Sequence, residues 1–368
     1  MTSYGQHLHL SIYGGSHDPE IGVHLSGLPA GEQISMDALR AFMKRRAPGQ
    51  NAYSTTRKEP DEPIFLSGLT ADFVTSGDDL HAVIYNKNQR SSDYAALSDI
   101  PRPSHADFSA RMKYGSDVDL RGGGHFSGRL TAPMCIAGGI CKQILERRGI
   151  YIAAHILSVA DVCDERFSPT ALSESDFRAL DGKPFPTISD EMGEAMQRCI
   201  EEARLDADSV GGIIECAAIG MPAGIGEHMF SGVEGRIASI VFGIPAVKGI
   251  AFGGGFASAR MRGSENNDPF YVDDLGGIRT KTNHAGGILG GMTSGMPIIF
   301  TAAVKPTPSI GKEQESVSLS RRENVRFTVS GRHDPCIVPR AVPVMEAAMA
   351  IALTDLLLDA GELPPPTH

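Results

Sequence analysis

Two stretches of this chain are apolar on nearly every side of a helix, and that leaves few ways to fold it. Residues 133–145 (Pro-Met-Cys-Ile-Ala-Gly-Gly-Ile-Cys-Lys-Gln-Ile-Leu) and 343–358 (Pro-Val-Met-Glu-Ala-Ala-Met-Ala-Ile-Ala-Leu-Thr-Asp-Leu-Leu-Leu) each begin at a proline near the first turn. A helix without a polar face must be covered all round. No apolar run approaches the ~20 residues of a membrane span, so the cover is expected to be protein. Strand-like segments at 150–160, 210–219, 247–252, 297–304 and 325–330 supply it, and the reading is a helical layer between sheets. Further strands are predicted at 7–13, 21–26, 62–68 and 80–86, and amphipathic helices at 36–46, 189–205 and about 232–242. The two apolar helices resemble each other, so the halves read as an approximate duplication.

A length of 368 residues permits one large domain or two ordinary ones. The net charge of −10 argues against non-specific nucleic-acid binding and against an anionic membrane surface. The N-terminus has neither the basic nor the apolar region of a secretory signal. Six cysteines without a C-x-x-C pair read as reduced, mostly buried thiols of a cytosolic protein. Against this acidic background, residues 40–58 hold six basic side chains and no acid, which reads as a steering patch for a small polyanion or as a solvated helix end. Residues 87–124 show little periodicity and are expected to form a long functional loop.

Three segments set a histidine close to an aspartate: Gly15-Ser16-His17-Asp18, Ser104-His105-Ala106-Asp107 and Arg332-His333-Asp334-Pro335. In extended chain Arg332 and Asp334 project the same way, a guanidinium fork for an anion beside a carboxylate that can accept a proton. Arg121-Gly-Gly-Gly-His125-Phe-Ser-Gly-Arg129 is a glycine-rich turn entering a helix, where backbone amides can hold an anion or a ring carbonyl. It has neither P-loop nor G-x-G-x-x-G spacing. The glycine-rich run 283–297 is not expected to form ordinary helix or strand and suits a flat ligand. Lys305-Pro-Thr-Pro-Ser309 places a cation and two hydroxyls on a stiff backbone, fit for a phosphate. Taken alone, these turns also permit exposed charges of no function. Their histidines and aspartates also permit a metallo-phosphohydrolase, since both are metal-ligand types.

Read together and in order, these motifs resemble the chorismate synthase family along nearly the whole chain. The matching stretches are Gly14–His17, Lys44–Gly49, Thr55–Asp61, Arg102–Asp107, Arg121–Gly124, Asn283–Gly291, Lys305–Ser309 and Arg332–Cys336. The resemblance implies an α+β fold, a β-α-β sandwich with helices between two antiparallel sheets and a loop-rich periphery. It implies a single domain over 1–368 with an extended tail at 360–368, assembled as a homotetramer. The implied activity is a lyase of the shikimate pathway that converts 5-enolpyruvylshikimate 3-phosphate to chorismate and phosphate. It would depend on reduced FMN, with NADPH as a candidate reductant and no metal.

Carried over residue by residue, His17 would act at the departing phosphate, His105 at the flavin's pyrimidine edge and Asp334 as proton acceptor. Flavin would be met by His125, Phe126, Ser127, Ala246, Gly290, Lys305, Thr307, Ser309 and Arg332. Substrate would be met by Ser16, Arg46, Arg57 and Arg129. The chain departs from the family pattern at Gly15 and Asp18, where Glu and Gly usually flank Ser-His, and at His125, usually Arg. It departs again at Phe126 and Gly128, usually small Ser and Ala, and at Ala52, where an Arg is often linked to NADP. A flavin- or phosphate-binding relative without catalysis is the alternative these departures open.

Overall fold

The computed structural model describes residues 2–49, 60–86, 99–329 and 334–364. The first part runs β1 (Thr2–Tyr4), β2 (His9–Gly14), β3 (Glu20–Ser26), α1 (Met36–Arg46), β4 (Ile64–Ser67), β5 (Leu80–Tyr85), α2 (Asp107–Tyr114) and α3 (Thr131–Glu146). Next come β6 (Tyr151–Val159), β7 (Val162–Cys163), α4 (Glu174–Arg178), α5 (Asp190–Leu205), β8 (Gly212–Ile219), α6 (Val233–Phe242) and β9 (Val247–Phe252). The last part holds α7 (Gly263–Asn266), β10 (Phe270–Val272), β11 (Ile278–Thr280), β12 (Ile288–Leu289) and β13 (Met292–Thr293). It closes with β14 (Ile298–Val304), β15 (Gln314–Ser318), β16 (Glu323–Phe327) and α8 (Val338–Asp359).

Two five-stranded antiparallel sheets, ordered β1-β2-β3-β5-β4 and β7-β6-β8-β14-β9, enclose the helical layer. Helix α3 packs on β3 and β5 of the first sheet, α8 on β6 and β8 of the second, and the two helices pack on each other. The expected sandwich is therefore the observed one. Alternation in β3 shows how the sequence builds it: Ile21, Val23 and Leu25 are fully buried, while Glu20, His24 and Ser26 are not. Where α3 crosses α8, a Cβ on Gly138 would stand 2.3 Å from the Cβ of Ala347. Only glycine permits so close an approach.

Helix α8 starts five residues before the predicted position, with Pro339 in its first turn and Pro343 inside. At 22 residues it is long and apolar enough to cross a membrane, which corrects the reading of the run as too short, yet it is almost wholly buried within the protein. Its two fully buried acids tie it down. Glu346 pairs with Arg45 at 2.6 Å and Lys142 at 2.9 Å. Burial would raise the Glu346 pKa, but the two cations outweigh it and hold the carboxyl at about 2. Asp355 pairs with Arg236 and accepts the backbone N–H groups of Gln6, His7 and Leu8.

The basic run is likewise answered by distant acids: Arg40 meets Glu62, Arg45 meets Glu346, and Arg46 meets Asp61. That pairing accounts for three of the six basic side chains; Arg57 and Lys58 lie outside the described residues. Within the stretch read as loop, α2 forms at 107–114. Its Phe108 and Met112 stay exposed, so no apolar stripe marked it. Two short ribbons also escaped the sequence reading, β10–β11 and, inside the glycine-rich run, β12–β13. The strand predicted at 325–330 overlaps β16, which pairs with β15 in a separate surface ribbon and not in either large sheet.

Candidate active site

The glycine-rich turn is the hub. Gly122, Gly123 and Gly124 all take left-handed φ angles of 59°, 92° and 52°, and each then presents a bare Cα to a neighbour. A Cβ on Gly122 would lie 2.5 Å from His17 Cε1 and 2.6 Å from Ser16 Oγ; one on Gly123 would lie 3.5 Å from His105 Nε2. The two histidines thus abut consecutive residues, whose Cα atoms are about 3.8 Å apart. The hairpin between β2 and β3 is locked to this turn: Ser16 N–H donates to the Gly124 carbonyl at 3.1 Å, and His125 Nδ1–H donates to the Gly14 carbonyl at 2.7 Å.

His105 has a built orientation. Its Nδ1 lies 2.6 Å from Asp107 Oδ1, and Arg102 forks the same carboxylate through Nε at 2.7 Å and Nη2 at 2.8 Å. An ionised carboxylate only accepts, so Nδ1 carries the hydrogen and Nε2 faces Gly123. Burial would raise the Asp107 pKa, but hydrogen bonds from Arg102 and His105 prevail and hold it well below the carboxylate range. Replacing Asp107 by Asn is expected to lower turnover on the order of 100-fold, the low end for a mispositioned acid–base group, and to reshape the pH–rate profile. An unchanged profile in kcat measured against pH would reduce Asp107 to a packing role.

Arg102 also reaches across the fold, its Nη1 donating to Ser309 Oγ at 3.2 Å. Lys305 Nζ donates to the Ser104 carbonyl, and its backbone N–H donates to Ala246 O at 2.9 Å. Ala246, Lys305 and Ser309 are thereby gathered beside His105. Burial, helped by Lys248, lowers the Lys305 pKa, and among the described residues this ammonium forms no ion pair. The hydroxyl of Thr307 is buried without a hydrogen-bond partner. A cation lacking a carboxylate and an orphaned hydroxyl are what a phosphate-bearing ligand satisfies.

On the other side of the turn lies a chain of charges. Asp61, 1% exposed, takes Arg46 on Oδ2 at 2.5 Å and Arg129 on Oδ1. Arg129 Nε also donates to Asn86 Oδ1 at 3.1 Å. Arg340 donates through Nε to the Arg46 carbonyl at 3.1 Å and through Nη1 to Asp334 Oδ2 at 2.6 Å. Asp334 is thus linked to the arginines that flank the glycine turn.

The structure gathers Ser16, His17, Arg46, His105, Arg129, Ala246, Lys305, Ser309 and Asp334 into these linked clusters. His125, Phe126 and Ser127 belong to the turn itself; Phe126 faces Tyr114 with ring centroids 6.4 Å apart. Gly290 stands apart at the tip of the β12–β13 ribbon, whose Gly291 is held against Glu227 and Gly232. Arg57 and Arg332 lie outside the described residues. Gly15 and Asp18 form a compensated pair, since a Cβ at 15 would stand 3.1 Å from Asp18 Oδ2. Glycine there makes room for the carboxylate.

Arg102, Asn86 and Arg340 join these clusters although the sequence reading did not single them out as individuals. Arg340 and Asn86 carried no local pattern, and Arg102 was read as motif only. Two carboxylates of the metal reading are engaged elsewhere, and its His333 lies outside the described residues. Asp107 is held by Arg102 and Asp334 by Arg340, and among the described residues no three His, Cys, Asp or Glu side chains are grouped to hold an ion.

Comparisons with known proteins agree with one another. The family model described as chorismate synthase matches residues 8–358. A chorismate synthase of Lancefieldella parvula is 46% identical, covering 97% of this chain and 96% of the relative. Those of Korarchaeum cryptofilum and Methanocaldococcus jannaschii are 44% and 39% identical, over 96% and 99% of this chain and 97% and 98% of theirs. A crystal structure of chorismate synthase superposes with a TM-score of 0.76 at 27% identity, covering 97% of this chain and 93% of that one. With its fold, its ordered motifs and its relatives in accord, the chain belongs to the chorismate synthase family.

Proposed function

We propose that the linked clusters around Gly122–Gly124 are the active centre in which this chain eliminates phosphate from 5-enolpyruvylshikimate 3-phosphate to give chorismate. The lyase activity and its place in the shikimate pathway follow from the family; the roles of the residues are our reading. The carrying observation is that His17 and His105 abut adjacent glycines while the Asp61-bridged arginines stand beside them.

The reaction cleaves a C–O bond to phosphate and a C–H bond at carbon 6 of an anionic ring. Arg46 and Arg129 hold the substrate's anionic groups, joined by Arg57, with Ser16 beside the phosphate. His17 hands a proton to the departing phosphate oxygen, a task suited to an imidazole whose ordinary pKa lies near neutrality. Asp334 accepts the proton that the elimination releases. His105, oriented by Asp107, holds a proton at the edge of the cofactor pocket. Ala246, Lys305, Thr307, Ser309 and the turn His125–Ser127 would form the cradle for reduced FMN, with Gly290 and Arg332 assigned to it by the family resemblance alone. When bound, reduced FMN would supply transient electron density as phosphate departs, since no side-chain base could ionise the unactivated C–H bond at neutral pH. NADPH is the candidate reductant.

The test is anaerobic. Protein, substrate and FMN reduced by dithionite should yield chorismate, read by absorbance, and an equal amount of phosphate. Wild-type protein that binds both ligands without turnover would refute the reading. Repeating the assay with NADPH in place of dithionite decides the source of electrons.

A homotetramer also fits the surface. Met229, Phe230, Phe256, Phe270, Val272, Leu275 and Ile278 are strongly exposed within one part of the chain, and Leu275 at the β10–β11 tip is 97% exposed. An isolated two-stranded ribbon is only marginally stable and needs cover. Leu275→Asp combined with Phe270→Asp is expected to shift sedimentation to a smaller species; an unchanged assembly would place the contacts elsewhere. The six free thiols suit a reducing, cytoplasmic setting.

A further inference from the structure

We infer that Asp61 is a positioning residue for substrate binding: one buried carboxylate that fixes Arg46 and Arg129 as a rigid pair for the polyanion. The inference rests on the proposed function above and adds a residue to it. The geometry is specific. Each carboxylate oxygen takes a different guanidinium, Oδ2 that of Arg46 at 2.5 Å and Oδ1 that of Arg129. The two arginines come from separate elements, one from the end of α1 and one from the turn before α3. Each is braced again from its own side. Arg46 donates to Thr131 Oγ1 at 3.1 Å and to Gly128 O at 2.9 Å, and Arg129 donates to Asn86 Oδ1 at 3.1 Å.

Two guanidiniums packed this closely would repel by several kcal/mol at an effective dielectric near 20, were no anion between them. The carboxylate removes that repulsion and sets their spacing before substrate arrives, so less ordering is left for the binding step. Burial disfavours the ionised form of Asp61, yet the two guanidiniums outweigh it and hold its pKa below the usual range. The carboxylate is therefore charged throughout the working pH. Its backbone stands at φ +50°, a conformation that Asp and Asn tolerate better than most residues. A bridge between arginines from two elements, kept at a disfavoured φ, is more than a surface ion pair.

Asp61→Asn keeps the shape and the tolerance for positive φ but removes the charge. In steady-state assays with reduced FMN, KM for the substrate is expected to rise roughly 10–100-fold, about what losing a charge-assisted contact costs. The turnover number at saturation should fall much less, and the affinity for FMN should stay within about threefold. A KM within threefold of wild type, or losses of FMN and substrate affinity in equal proportion, overturns the assignment. Thr131→Val frees Arg46 Nε without touching the carboxylate, so it decides the matter if the Asn variant does not fold. KM should then rise several-fold with an unchanged melting temperature, and an unchanged KM again overturns it. Failure of the wild-type enzyme to turn over at all would instead strike the functional reading itself.

Discussion

Gly122→Ala is expected to remove most activity, on the order of 100-fold or more, without unfolding the protein. Two effects act together. The position lies at φ +59°, where any residue with a Cβ pays about 1–2 kcal/mol, and the added methyl would sit 2.5–2.6 Å from His17 and Ser16. Relief requires the imidazole, the hydroxyl or the turn to move. A shift near 1 Å in a group aligned for reaction costs about that much in rate. Gly128→Ala is the matched control in the same segment: nothing lies within 4 Å of its ideal Cβ, and its φ is not positive. Near-wild-type turnover is expected there. If both variants behave alike, the contact between Gly122 and His17 has no catalytic meaning.

Asp334→Asn should lower turnover roughly 10²–10⁴-fold, the range for a lost acid–base group, while affinities for substrate and oxidised FMN change little. The partner makes the experiment informative. Asp334 is bonded to Arg340 at 2.6 Å, so a bland reading makes it only the counter-ion of a half-buried guanidinium. Breaking a fully buried pair commonly costs about 3–5 kcal/mol, and a half-buried one that keeps an amide oxygen as acceptor costs less. A counter-ion role predicts a lower melting temperature with a normal rate per folded molecule. A proton-acceptor role predicts the reverse, and the two measurements together separate them.

The sandwich was legible because its strongest constraint is local. Two helices without a polar face demand cover, and the apolar residues of β3 declare which side it buries, while β6 is apolar enough to be buried along nearly its whole length. What escaped is equally physical. Helix α2 buries only Asp107 and Ala110 and shows no apolar period, and the proline at 343 masked a helix that begins more than a turn earlier, at Val338. In the site, the histidines were visible because each sits beside a small residue and an acid. The residues that hold them in place were not. Asp61 and Arg340 act through partners 68 and 294 positions away in sequence, and no short motif encodes such a contact. The excess of positive charge at 40–58 looked like a ligand's signature, whereas α8 and the Asp61 turn answer much of it from within the protein.

The most direct measurement counts both products of one anaerobic turnover. With reduced FMN and 5-enolpyruvylshikimate 3-phosphate, phosphate and chorismate should appear together, one for one, and both should vanish when His17 is replaced by alanine in a protein of unchanged melting temperature. Phosphate released without chorismate would make the centre a hydrolase and contradict the account.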